Sequence, residues 1–289
     1  MDATPRSNDR ITIPLIHGGL DRPYLFQPAA TAAREGAPLV LEIHGRGIDS
    51  VRFDELTGFG ELASTAGFAV AMPSAVGEIW TDGRTPPAQW AGIQDDVAYL
   101  AAVIDDAVAH RSVDPRRIYA VGMSNGATMA GRLACELRGR FAAIAQVAGT
   151  AATEIAAHCR PAAMPILSIH GSADDYAPYE GGTRHSIRSR MVLRHASGPS
   201  VPVDDWARFW VDANGAADPP QVVKLPPDTT IRTWRGPDSA TEVVFYKVEG
   251  GGHTWPGSRW ALPPLLFGKT TRTFNATRVI WEFFASHEL

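Results

Sequence analysis

The chain has 289 residues, 45% hydrophobic and 20% charged, with a formal net charge of -4. That is the profile of an ordinary globular protein; it offers no basis for nucleic-acid binding, and no apolar run approaches the length of a bilayer span. Met1 to Arg10 is polar and lacks the apolar core of a signal peptide, so either the protein stays inside the cell or a leader has been removed.

Arg10 to Ile16 and Arg22 to Gln27 read as two strands entering a sheet antiparallel, and Pro28 to Gly36 as a connection of small residues. Pro38 to Ile43 is a nearly continuous apolar run, as expected of a strand covered on both faces. It ends in His44-Gly45-Arg46-Gly47. A helix is predicted over Phe53 to Ala66 and a buried strand over Gly67 to Met72. Pro73 to Trp90 is a long loop holding Trp80 and Trp90, and loops of that length in a compact domain often carry function. Ile93 to His110 has the strongest helical periodicity, after which Asp114-Pro115 turns the chain into an apolar strand, Ile118 to Val121.

Further strands are predicted at Phe141 to Ala148, Pro165 to Ile169, Thr230 to Trp234 and Glu242 to Val248. Val203 to Ala213 and Thr271 to His287 read as amphipathic helices. Strands alternating with helices predict an α/β fold with a mostly parallel sheet and helices on both faces. There is no internal repeat. One domain is expected over 1–289, with loops at 73–90, 182–202 and 255–270 decorating one end.

The chain is organised around Gly122-Met123-Ser124-Asn125-Gly126, a G-x-S-x-G match between a buried strand and a helix of small residues. A serine on such a turn is exposed and close to a helix N-terminus, and the glycines leave room where a Cβ would collide. The plain alternative is a structural turn that contains serine. The flanking strand and helix argue against it.

A serine hydroxyl needs a base to take its proton and a carboxylate to orient that base. In this type of fold the chain order is Ser, then acid, then His. Asp174 follows the strand ending at Ile169 and is the candidate acid, with Asp175 second; either could instead serve a turn. Of the histidines beyond Asp174, His253 stands after a strand in Gly250-Gly251-Gly252-His253-Thr254-Trp255-Pro256-Gly257 and is the candidate base. The competing picture is a solvated histidine on a flexible loop. The oxyanion hole is expected from the backbone N–H groups of Asn125 and Arg46, with His44 a packed, hydrogen-bonded residue. The two cysteines, Cys135 and Cys159, have no metal-ligand spacing; they read as one disulfide or two buried thiols. No cofactor or metal is expected.

These pieces together resemble the polyhydroxybutyrate depolymerase and feruloyl esterase type of α/β-hydrolase. The matching segments are His44 to Gly47, Gly122 to Gly126, His170-Gly171-Ser172-Ala173-Asp174 with Pro178-Tyr179, and Gly252 to Gly257. Ile280-Trp281-Glu282-Phe283-Phe284 is similar to the family's closing helix, so the likeness runs from about Arg10 to His287. It implies an α/β-hydrolase fold, Ser124 as nucleophile, Asp174 as acid and His253 as base. It also implies a Cys135–Cys159 disulfide and export to a secreted or periplasmic location, with a cytoplasmic location the alternative. The substrate it implies is polymeric, or a bulky ester or amide. Arg46 departs from the pattern, which expects a small residue or cysteine there.

Gly182 to Ser200 carries Arg184, Arg188, Arg190 and Arg194 with no acid. Arginine forks suit carboxylates, and clustered cations concentrate an anionic substrate. A solvated helix face explains the same run, since Arg184 and Arg188 stand four apart. With Arg46, the run favours an anionic polymer, and some members of this broad group are poly(aspartic acid) hydrolases. Polyester or feruloyl ester cleavage is the alternative, and a non-catalytic binding protein on the same scaffold is the third reading. Trp80 and Trp255 are candidate groove walls, each also readable as packing. Trp260 to Phe267 reads as an apolar, loop-like stretch: a lid, a polymer-docking patch, a homodimer contact or core packing.

Overall fold

The computed structural model describes residues 10–30, 36–84, 95–183, 198–237, 241–260 and 262–289. Ten described strands form one sheet. Its middle is six parallel strands in the order β6 (Ala69–Pro73), β5 (Ala37–Ile43), β7 (Val113–Met123), β8 (Ala143–Val147), β9 (Ile166–Gly171) and β12 (Glu242–Val248). Antiparallel strands close both sides: β4 (Tyr24–Gln27) and β1 (Ile11–Ile13) beyond β6, β11 (Thr229–Arg235) and β10 (Gln221–Leu225) beyond β12. A small separate hairpin joins β2 (Ile16–His17) to β3 (Leu20–Asp21).

The apolar runs read from sequence are strands buried on both faces, and alternate side chains serve two different cores. In β5, Leu39, Leu41 and Ile43 face one core while Val40 faces the other. The first core is roofed by α3 (Asp96–His110), α4 (Asn125–Glu136) and α6 (Val203–Ala213). The second is roofed by α1 (Ser50–Thr57), α2 (Phe59–Ala66) and α8 (Ala276–Ala285). The remaining helices are short: α5 (Thr153–His158) and α7 (Pro264–Phe267).

Several expected boundaries move, each for a local reason. The helix expected over Phe53 to Ala66 is two helices. Gly58, at φ 76°, ends α1 by returning its N–H to the Asp54 carbonyl and begins α2 at a new angle. The closing helix starts at Ala276 rather than Thr271, because the Asn275 side chain caps it by accepting from Arg278 N. Thr271 and Thr273 instead donate their hydroxyls to Asp228. Asp114-Pro115 lies inside β7, not in a turn before it. Strand β10 escaped the sequence reading because it is an edge strand with no buried side chain to give it a pattern. Ile93 and Trp90 lie outside the described residues.

Candidate active site

In an open parallel sheet, the strand ends flanking a reversal of strand order leave a crevice at their carboxyl side. Here the chain leaves β5 for β6 on one side and returns to β7 on the other. Arg46 follows β5, Trp80 follows β6, Ser124 follows β7, Asp174 follows β9 and His253 follows β12. All the central residues singled out from sequence therefore emerge at one edge of the sheet.

Ser124 joins β7 to α4 with φ 59° and ψ -119°. A non-glycine residue at that conformation carries strain of about 1–3 kcal/mol, sustained only when the surroundings fix it. They do so by close backbone approach. A Cβ on Gly126 would stand 2.1 Å from the Ile43 carbonyl oxygen, and one on Gly122 would stand 2.3 Å from Gly126 backbone. A Cβ on Gly45 would lie 3.6 Å from Ser124 Cβ, so the turn after β5 abuts the serine directly. Ser124 N donates to the Val147 carbonyl at 2.9 Å, tying the turn to β8. The serine remains half-buried.

Asp174 and His253 meet through a 2.8 Å bond between His253 Nδ1 and Asp174 Oδ2. Both are buried. The other carboxylate oxygen, Oδ1, accepts the backbone N–H groups of Tyr176 and Ala177, each at 2.8 Å. Burial acts to raise the Asp174 carboxyl, but the His253 imidazole and the hydrogen bonds outweigh it and hold it below the usual carboxylate range. An ionised acceptor on Nδ1 places the ring proton there and leaves Nε2 as the proton acceptor. No described hydrogen bond joins His253 to Ser124; such contacts are often loose without substrate. The His253 loop is fixed by backbone: His253 N donates to the Phe267 carbonyl at 2.7 Å and Gly252 N to that of Lys269 at 2.9 Å. A Cβ on Gly252 would stand 2.1 Å from the Phe267 oxygen, which is why glycine precedes the histidine.

The turn after β5 is equally constrained. His44 is fully buried, with Nδ1 on the Gly45 carbonyl at 2.7 Å and Nε2 accepting from Ala75 N at 3.0 Å; burial lowers its pKa and keeps the ring neutral. Arg46 is half-buried beside it. Asn125 is locked by its side chain: Oδ1 accepts from Trp80 N at 2.7 Å, and Nδ2 donates to the Trp80 carbonyl at 3.1 Å and to Asp82 Oδ2 at 2.5 Å. As the first residue of α4, its backbone N–H has no partner within the helix.

Two expectations are corrected. Trp255 is wholly buried, edge-on to Phe53 and Phe59, and donates its indole N–H to Thr277. Trp80 is 2% exposed and donates its indole N–H to the His44 carbonyl at 2.9 Å. Neither is a groove wall; both fill space beneath the loops that carry the site. The 260–267 stretch is divided: Trp260, Leu265 and Leu266 are 63%, 83% and 44% exposed, while Leu262 packs against the second core. Arg184, Arg188 and Arg190 lie outside the described residues. The segment's ends are held: Gly182 pairs with Ser200, and Gly198 N reaches the Arg84 carbonyl.

Sequence reading passed over three residues. Asp82 and Arg84 sit in the predicted functional loop, where Trp80 drew attention instead. Tyr176 stacks on the His253 imidazole with centroids 5.1 Å apart, and Phe267 stacks on Tyr176 in turn; only its place two residues past Asp174 could have signalled it. Cys135 and Cys159 are joined in a disulfide. Among the described residues no cluster of three or more His, Cys, Asp or Glu could hold a metal, and no helix is long and apolar enough to cross a membrane.

Comparison with known proteins gives concordant matches. The family model described as esterase PHB depolymerase matches residues 23–188. The putative esterase NocK of Nocardia uniformis subsp. tsuyamanensis is 32% identical over 278 residues, covering 93% of this chain and 80% of that protein. Feruloyl esterase B of Piromyces equi is 26% identical over 78% of this chain, which spans only 41% of that protein. Among solved structures, an acetyl xylan esterase from Aspergillus awamori superposes with a TM-score of 0.59 at 14% identity, over 85% of this chain and 94% of the other. A thermostable esterase gives 0.60 at 14% identity, over 98% and 64%. At such identities the structural matches speak for the α/β-hydrolase fold alone.

Proposed function

Since the chain belongs to the esterase PHB depolymerase family, we propose that it cleaves carboxylic esters or amides through a Ser124–His253–Asp174 triad and an acyl-enzyme. The observation that carries this reading is the strained Ser124 at the β7–α4 turn, set at the same sheet edge as a His253 already bound to Asp174.

His253 Nε2 takes the proton of Ser124 as Oγ attacks the acyl carbon. Asp174 steadies the imidazolium through Nδ1–H. The backbone N–H groups of Asn125 and Arg46 receive the oxyanion. His253 then passes its proton to the leaving alcohol or amine, and a water activated by the same ring releases the acid and restores the serine. This chemistry needs no metal or cofactor.

For the substrate, two readings stand. An anionic polymer such as poly(aspartic acid), cut at its amide links, is supported by the half-buried Arg46 in the turn that abuts Ser124 and by the arginine-rich sequence of residues 184–194. A neutral polyester or a feruloyl-type ester is supported by the names of the relatives, feruloyl esterase B among them. The disulfide favours an oxidising compartment outside the cytosol.

The test is a panel of poly(aspartic acid), polyhydroxybutyrate and a feruloyl ester, run with wild type and Ser124→Ala. A triad enzyme loses at least about 10⁴-fold in kcat on its substrate when the serine hydroxyl goes. Unchanged turnover in Ser124→Ala would leave only a binding role or a different nucleophile.

A further inference from the structure

The loop that carries His253 is fastened to the segment that follows α7. Three carbonyls of that segment, those of Phe267, Lys269 and Thr271, accept the N–H groups of His253 at 2.7 Å, Gly252 at 2.9 Å and Gly257 at 3.0 Å. The alternation is that of extended backbone, in which residues two apart present the same groups to the same side. The side chains alternate as well. Lys269, Thr271 and Thr273 all reach Asp228, which lies in the turn between β10 and β11. The strap therefore holds the histidine loop with its carbonyls and is itself held, side chain by side chain, at a single carboxylate.

Asp228 is fixed in turn. Its backbone carbonyl accepts Glu249 N at 2.7 Å, directly after β12, and its neighbour Thr229 pairs with Val248. Oδ1 accepts the hydroxyls of Thr273 at 2.8 Å, Thr271 at 2.9 Å and Thr229 at 3.0 Å, and Oδ2 accepts Lys269 Nζ at 3.2 Å. Asp228 is buried and so is Thr271, whereas the Lys269 side chain is 60% exposed. An ion pair that open to water contributes little, so the hydroxyls supply most of the hold. Burial acts to raise the Asp228 carboxyl, but the bonds from Thr273, Thr271 and Lys269 outweigh it and keep it below the usual carboxylate range. Strap and loop then meet backbone to backbone: a Cβ on Gly268 would stand 2.7 Å from Gly252 Cα. No side chain lies between them there to absorb a displacement, so a shift of the strap passes to the residue before His253.

We infer that Asp228 is a positioning residue for His253: by gathering Thr271 and Thr273 it fixes the 267–273 strap, and the strap's carbonyls set where the imidazole stands relative to Ser124. The inference rests on the assignment of His253 as the base that serves Ser124, and it extends the machinery of the site to a side chain on the edge hairpin of the sheet. Asp228 acts through the strap and not on the substrate, so its removal should slow the reaction without loosening substrate binding.

The test compares wild type with Asp228→Ala and Asp228→Asn. Hydrolysis of para-nitrophenyl acetate gives kcat and KM, with kcat counted per serine labelled by a fluorophosphonate, so that unfolded chains do not enter the rate. Asp228→Ala should lose about 10- to 100-fold in kcat, the cost of misplacing a reacting group by about an ångström, with KM little changed. Asp228→Asn, whose amide oxygen still accepts the hydroxyls, should recover most of that loss. The far-downfield proton resonance of His253 Nδ1–H, observed without substrate, should broaden or shift in Asp228→Ala and keep its wild-type position in Asp228→Asn. The Cys135→Ala/Cys159→Ala variant, weakened elsewhere in the molecule, should move neither readout. An unchanged kcat and resonance in Asp228→Ala, or an Asp228→Asn as slow as Asp228→Ala, would overturn the inference. If Asp228→Ala does not fold, Thr271→Val/Thr273→Val removes the two strap hydroxyls at constant shape and carries the same expectations. Fluorophosphonate labelling of Ser124→Ala as fast as wild type would defeat the triad assignment instead, so the two failures are distinguishable.

Discussion

Ser124 is under backbone strain that only its neighbours sustain. At φ 59° and ψ -119° it occupies a conformation that glycine adopts without penalty. Ser124→Gly should therefore stabilise the protein by about 1 kcal/mol while abolishing ester turnover. Paired thermal melts and rate assays check this, and a variant with a lowered melting temperature would show that the hydroxyl, not the backbone, dominates at this position. The sequence made Ser124, Asp174 and His253 legible because glycine spacing and strand-end position are local properties. It could not separate Trp80 and Trp255 from groove residues. An indole is suited equally to a substrate wall and to a buried contact, and only its neighbours decide; here those are His44, Phe53 and Phe59.

Strand β5 carries one residue that its apolar run does not explain. Glu42 is buried on the side facing α1, where Thr57 Oγ1 donates to it, and α1 also supplies Asp54, paired with Arg10. Burial raises the Glu42 carboxyl well above its ordinary value of 4.5, and the Asp54 charge adds to the rise. A raised folded pKa means that the unfolded chain ionises first. The contribution to stability is complete below the unfolded pKa and fades as pH climbs through the folded one. Over that window the wild type should lose up to about 1.4 kcal/mol per pH unit relative to Glu42→Gln, whose amide can still accept from Thr57. Denaturant midpoints measured from pH 4 upward check the slope; parallel curves for the two proteins would place the proton elsewhere. The same scale explains the missed boundary at Gly58. Continuous helical periodicity survives across the break, while a left-handed glycine redirects the axis.

For the molecule as a whole, the disulfide ties the end of α4 to the segment after α5, across a separation of 24 residues. A closed loop of that size is worth about 3 kcal/mol in the chain-entropy account. Replacing both Cys135 and Cys159 by alanine should lower the melting temperature by roughly 6–12 °C in a domain of this size. Reductant should act on the wild type but not on the double variant. A shift of less than a degree in both experiments would mean that packing alone fixes α4 against α5. The Asp174–His253 pair and the Ser124 turn rest on other contacts, so activity measured below the transition should fall far less than stability.

By itself the sequence determined the kind of architecture and singled out the candidate reactive groups. Doubly buried strands, a small-residue helix and glycine-framed serine and histidine are written in adjacent residues, and they point to the same fold. Tertiary structure decided what adjacency cannot encode. It bound His253 to Asp174 across 79 positions. It placed both tryptophans in the core and gave Arg84 a fixed carboxylate partner next to the serine turn. Those outcomes depend on which strands become neighbours and how closely their backbones approach. Such proximity is a property of the packed sheet, and no window of the chain contains it.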